Sequence, residues 1–134
     1  MALPNGAGGY QLGDGNSNEV DLVISGIPTA YTAGATLTMA DLAGGIVVYT
    51  SSSTANLALP AVSGAGGVDD IISSARVGSS FDVALVTTST GVPTITAGTG
   101  WTLVGSGAGV ASLSTLFRAV KTAAGAWSLY RIAG

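Results

Sequence analysis

The stretch "ASLSTLFRAVKTAAGAWSLYRIA" (Ala111–Ala133) decides the fold. Two runs rich in strand-forming residues flank Ala123-Ala124-Gly125, a short glycine-containing loop of the kind that joins antiparallel strands. Alternation puts Phe117 and Ala119 on one side with Lys121, and Leu116 and Val120 on the other with Arg118. In the returning strand Trp127 and Leu129 oppose Tyr130 and Ile132. Neither face is polar throughout, and strands apolar on both faces are buried on both. One face can meet the domain's own core. The other then needs a neighbouring chain, and Phe117, Trp127 and Tyr130 are the candidate subunit-interface residues. A large aromatic buries about 150–250 Å². At about 25 cal/mol per Å², leaving Trp127 and Tyr130 in water forfeits free energy on the scale of a small domain's whole stability.

The sequence upstream continues in the same style. "FDVALVTT" places Phe81, Val83 and Leu85 on one face, "STG" (Ser89–Gly91) turns the chain into "VPTITA", and "GTG" (Gly98–Gly100) leads into "WTLVG". "GIVVYTSSSTANLALP" reads as a hairpin, with Ile46–Tyr49 as one strand, Ser51–Thr54 as the turn and Ala55–Leu59 as the return before Pro60. Two helices interrupt the strands. Thr38 and Asp41 have the spacing of a capping box, and Gly44-Gly45 stops that helix after one or two turns. Val68, Ile71, Ile72 and Ala75 form a second apolar stripe, with Asp69 and Asp70 in its first turn, where the helix dipole favours carboxylates. Adjacent carboxylates on a helix point apart and cannot share a proton, so this pair starts a helix rather than serving acid–base chemistry. "EVDLVI" begins the body at Glu19, with Val20, Leu22 and Ile24 alternating as a short strand with one buried face.

The reading is an all-β body, compact and sandwich or jelly-roll-like, over residues 19–134, with one or two short helices. Residues 1–18 are an extended N-terminal arm rich in Gly and Asn, with apolar residues only singly. Within it Asp14, Asn16 and Asn18 alternate like calcium ligands. The sixth position of that loop would be Glu19 rather than glycine, and the twelfth Ser25 rather than a bidentate carboxylate. It is a polar leader, not a metal site.

Charge is scarce: 8% of 134 residues, against 47% hydrophobic. A dispersed monomer usually carries a surface about 25–35% charged, so much of this one is expected to lie against other protein. The net charge of −3 argues against nucleic acid, which requires clustered Lys and Arg. No apolar run reaches the length of a membrane span, and the N-terminus lacks the basic start and apolar core of a secretory signal. With no cysteine, the expectation is synthesis in a cytosol.

Catalytic chemistry lacks its residues. There is no cysteine and no histidine, which removes the usual nucleophile, general base and metal ligand. "GSGAGV" from Gly105 has Val110 where a dinucleotide fingerprint needs glycine, and no Gly-Lys-Ser or Gly-Lys-Thr exists. The single lysine, Lys121, has no Ser-x-x-Lys spacing before it. No enzymatic activity, metal or cofactor is expected. Carbohydrate binding through Tyr49, Trp101, Trp127 or Tyr130 is the competing idea, although tryptophans directly after turn glycines more often fill a core or a subunit seam.

Laid out in this way, the chain resembles the small head decoration, or cement, proteins of tailed bacteriophages. The resembling pieces are "GDGNSNEVDL" (Gly13–Leu22), "ATLTMADLAGGIVVYT" (Ala35–Thr50), "NLALP" (Asn56–Pro60), "VGSSFDVALVTTST" (Val77–Thr90), "ITAGTGWTLVG" (Ile95–Gly105) and "FRAVKTAAGAWSLYRIA" (Phe117–Ala133). The resemblance implies a β-rich homotrimer on the outer capsid surface, bridging major capsid protein subunits and bracing the shell, with an N-terminal arm along that surface. It carries no catalytic motif. Leu3, Pro4, Tyr10 and Leu12 are the candidate capsid-binding residues of the arm. The alternative is a head- or tail-fibre module that binds host-surface carbohydrate.

Overall fold

The computed structural model describes residues 25–134. Most of the regular structure is strand, arranged in one mixed sheet of six and a second of three. In chain order the elements are β1 (Ala30–Tyr31), β2 (Ala35–Thr36), α1 (Met39–Ala43), β3 (Ile46–Tyr49), β4 (Ala55–Ala58) and α2 (Val68–Ile71). They continue with β5 (Ser80–Thr87), β6 (Pro93–Thr96), β7 (Trp101–Val104), β8 (Ser114–Ala123) and β9 (Ala126–Ala133). The sheet of six runs β1-β3-β5-β8-β9-β7 and the sheet of three β2-β4-β6.

The first six strands form three stacked rungs. In each rung the chain makes one strand in the large sheet, turns a corner, and makes the next in the small sheet. β1, β3 and β5 are therefore parallel neighbours, and so are β2, β4 and β6. Parallel neighbours require a crossover, and the two helices lie in them: α1 between β2 and β3, α2 between β4 and β5.

This corrects the sequence reading in two places. Residues 46–59 are not a hairpin, because β3 and β4 lie in different sheets, and the 89–91 turn separates β5 and β6 in the same way. Inside–outside alternation is identical whether a strand's partner is its sequence neighbour or lies one rung away, so periodicity could not tell these apart. The corner of the second rung is held by Tyr49, whose hydroxyl donates to the Ser53 carbonyl at 2.6 Å.

The terminal hairpin follows expectation. β8 and β9 pair antiparallel, closing through Ala123 opposite Ala126, with Gly125 at φ +72° in the turn. β8 also pairs antiparallel with β5, and β7 joins β9 in parallel.

α1 begins as its sequence indicates. Asp41 N–H donates to Thr38 Oγ1 at 3.3 Å, and Thr38 N–H to Asp41 Oδ2 at 2.9 Å. Gly45, at φ +79°, follows the Gly44 cap. α2 is shorter than its apolar stripe indicates. It stops at Ile71, leaving Val68 buried, Ile72 and Ala75 half-buried and Ile71 itself 55% exposed. One turn cannot present a stripe two turns long.

Both sheets turn their apolar faces to one core. Val47 and Tyr49 of β3, Val83 and Leu85 of β5, Phe117 and Ala119 of β8, and Trp127 and Leu129 of β9 meet Leu57 and Ile95 of the small sheet.

Candidate functional site: the outer face of the large sheet

The other face of the six-stranded sheet looks away from this core, and the strand register fixes what it displays. One row across it holds Ile46, Ala84 and Leu116. A second holds Ala30, Val48, Val86 and Ser114. A third runs Asp82, Arg118, Tyr130 and Val104, and a fourth Ser80, Val120, Ser128 and Thr102. Ile46 is 41% and Val104 45% exposed. A solvated sheet face normally alternates to polar side chains; this one is aliphatic across its first two rows apart from Ser114, and mixed in the next two.

Its two charges cancel. Arg118 donates to Asp82 from Nε at 2.7 Å and from Nη2 at 3.2 Å, bridging β8 and β5 as direct cross-strand partners. The Arg118 guanidinium holds the Asp82 carboxyl below the usual carboxylate range, and Asp82 in turn raises Arg118. A neutral partner can thus cover the face without stranding a charge, the main penalty of ionic groups at an interface.

The free edge of the stack is no comparable strip. Thr29 and Tyr31 accept from Val48 and Thr50 N–H groups at 3.3 and 2.8 Å, so the alternate residues Pro28 and Ala30 point their backbone outward. Pro28 has no N–H to offer, a common way of blunting an edge strand.

Of the three residues expected at a subunit interface, only Tyr130 lies on the outer face. Phe117 and Trp127 are each 1% exposed and pack in the chain's own core. The alternation was read correctly, but the inward face was assigned to a neighbour that the second sheet replaces. The free energy of burying Trp127 is therefore supplied within the chain. Tyr49 and Trp101 are buried as well, with Trp101 Nε1 donating to the Pro60 carbonyl at 2.8 Å. Of the four aromatics weighed for sugar stacking, Tyr130 alone shows at the surface. Leu3, Pro4, Tyr10 and Leu12 lie outside the described residues.

Asp69 has a role its sequence context does not suggest. Its Oδ1 accepts from Trp127 Nε1 at 2.9 Å and from Lys121 Nζ at 3.1 Å, while Oδ2 accepts from Gly125 N–H at 3.1 Å. One carboxylate therefore ties α2 to both strands of the terminal hairpin and to its turn. The partners lie 52, 56 and 58 residues away, so no local pattern could announce them. Asp41 is similarly engaged: beyond the helix cap it accepts from the Tyr31 hydroxyl at 2.5 Å and from Thr38 Oγ1 at 3.0 Å.

These contacts make stability pH-dependent at both ends. The Trp127 indole N–H, Lys121 and the Gly125 N–H lower the Asp69 pKa against the effect of burial. At Asp41 burial pushes upward, but the hydrogen bonds from Thr38 and Tyr31, together with one from Thr29, outweigh it and the pKa is lowered. A carboxylate with a depressed folded pKa stabilises above its unfolded value, about 3.9 for Asp, and loses that contribution as pH falls through the folded value. The urea midpoint should hold from neutral pH to about 5 and decline below about 4, with Asp69→Asn and Asp41→Asn flattening the decline. Tyr31 works in the opposite sense. Burial and its bond to Asp41 push its pKa up to about 12, so its contribution persists to about pH 10 and disappears as pH rises to about 12.

Comparison with protein-family models, curated proteins and solved structures finds no match to this chain.

Proposed function

We propose that the chain is a structural virion protein, a trimeric decoration subunit that binds the outside of a phage capsid and braces it by bridging major capsid protein subunits. The observation that carries this reading is the outer face of the large sheet, aliphatic over its first two rows apart from Ser114 and with its one ion pair self-neutralised. Such a face is suited to lie against protein, and the scarcity of charge over the whole sequence points the same way. In this reading two sheets pack as a sandwich-like body, siblings cover the outer face around Tyr130, and residues 1–18 form an arm. Leu3, Pro4, Tyr10 and Leu12 anchor that arm on the shell. Individually weak arm contacts sum through avidity when three leave one trimer. The sequence resemblance to cement proteins supports the same assignment. The carbohydrate-binding alternative is weakened by burial of Tyr49, Trp101 and Trp127, since a sugar platform needs exposed rings.

The test uses capsids assembled without the protein. The intact chain should sediment as a trimer, bind the heads at a regular copy number and raise the temperature at which they rupture. A chain lacking residues 1–18 should still fold and trimerise, while its apparent affinity for heads drops by about a hundredfold through lost avidity. Undiminished binding by the shortened chain would reject the arm, and failure of the intact chain to bind heads would reject the function.

A further inference from the structure

One buried acid of the body lacks a counter-ion. The sequence holds four cationic side chains, Arg76, Arg118, Lys121 and Arg131, and none precedes residue 76. Among the described residues Arg118 pairs with Asp82 and Lys121 with Asp69, and Arg76 joins no ion pair. Arg131 is spent on the carbonyls of Ser106, Ala108 and Gly134. Asp41, only 8% exposed, is held by neutral donors: Tyr31 and Thr38 bond its Oδ2, and Thr29 adds one more hydrogen bond. These bonds orient the carboxylate and leave its charge, whereas buried charges are normally paired.

Asp41 lines a pocket of about 150 Å³, open on one side, between α1 and residues 25–29. Carbonyl oxygens converge there on Gly44. The point where a side chain would begin on Gly44 lies 3.1 Å from the Ser25 oxygen, 3.4 Å from that of Ala40 and 3.6 Å from that of Asp41. The Ser25 and Asp41 carbonyls accept no backbone N–H among the described residues, and carbonyls in the last turn of a helix carry partial negative charge. Ile27, 94% exposed, Pro28 and Ile46 supply apolar walls. We propose that this pocket takes a primary ammonium on an alkyl stem, the lysine side chain of a partner protein. An ammonium has three N–H donors, enough for the Ser25 and Asp41 carbonyls and the Asp41 carboxylate, while its stem covers Ile27 and Pro28. A planar guanidinium suits a bidentate carboxylate better than single converging carbonyls. The lysine must come from a different protein, because the chain's only one is tied to Asp69. Ile46 also stands in the first row of the outer face, so the pocket adjoins a surface suited to protein contact. The assignment goes beyond the capsid reading and does not depend on it.

Nα-acetyl-lysine amide, titrated into the full-length protein and followed by NMR amide shifts, tests this. The N–H signals of Asp41, Gly44 and residues 26, 27 and 29 should move saturably, with a Kd of about 1–10 mM for a few charge-assisted bonds. The same probe acetylated at Nε loses its charge with the protein untouched, and should leave these signals in place. Asp41→Asn keeps acceptors for Thr38 and Tyr31 but removes the charge. Gly44→Ala, at a helical φ of −67°, sets a methyl group among the three carbonyls. Each variant should weaken binding by about tenfold, the loss of one charged or well-aimed partner. The absence of saturable shifts would overturn the proposal. So would an equal response to potassium chloride at matched ionic strength, or wild-type affinity in both variants.

Discussion

Trp127→Ala is expected to remove most of the stability of this chain. Trp127 is the largest side chain fully buried in the core, and its ring packs against Phe81 at 5.5 Å and Trp101 at 6.1 Å between centroids. Truncating a buried tryptophan to alanine costs about 3–5 kcal/mol, through lost transfer free energy and the cavity left behind. Here the substitution also withdraws the indole N–H from Asp69, leaving that carboxylate to Lys121 and Gly125. Against a typical total of about 5–15 kcal/mol, urea unfolding followed by circular dichroism should show the midpoint falling by roughly 2 M. Trp127→Phe separates the two losses. It keeps most of the ring volume and should cost only about 1–3 kcal/mol, the penalty of an unmade buried hydrogen bond. If Trp127→Ala unfolds at the wild-type midpoint, the core assigned to this hairpin is wrong.

Gly91→Ala should be nearly as damaging, although it adds a single methyl group. Gly91 is buried at the corner between β5 and β6, and its N–H donates to the Ser51 carbonyl at 2.9 Å. A methyl carbon there would lie 2.3 Å from the Ser53 carbonyl oxygen and 2.4 Å from that of Ser51. Even a favourable C–H···O contact requires about 3.3–3.6 Å. The obstacle is backbone, not a side chain that can swing aside, and the Tyr49 hydroxyl pins it through Ser53. Relief would require the second rung's corner to move away from the third, so a cost of about 3 kcal/mol, at the upper end of overpacking penalties, is expected. Retention of the wild-type midpoint would mean that the two corners do not stack as described.

Both substitutions act where the chain meets itself across long sequence separations, and there sequence reading was weakest. The helix cap at Thr38 and Asp41 was legible because all its partners lie within one turn. The terminal hairpin was legible because its partners face each other across a glycine turn. The rungs were not: β3 and β5 carry the same alternation as a hairpin would, and only the crossovers through α1 and α2 reveal parallel stacking. At the candidate site the sequence sorted Phe117 and Trp127 correctly from Leu116 and Tyr130. It could not say which set the chain's own second sheet would cover.

By itself, then, the sequence determined a strand-rich chain with scarce charge, two short helices and a final hairpin apolar on both sides. Period-two alternation, caps and turn glycines are local signals, carried by neighbours in the chain. The tertiary structure alone decided that the tryptophans face inward, that Tyr130 and Leu116 face outward, and that Asp69 clamps the hairpin. Each of these depends on residues dozens of positions apart being brought within a few ångströms. Side-chain period records only that two faces differ, not what lies beyond either of them.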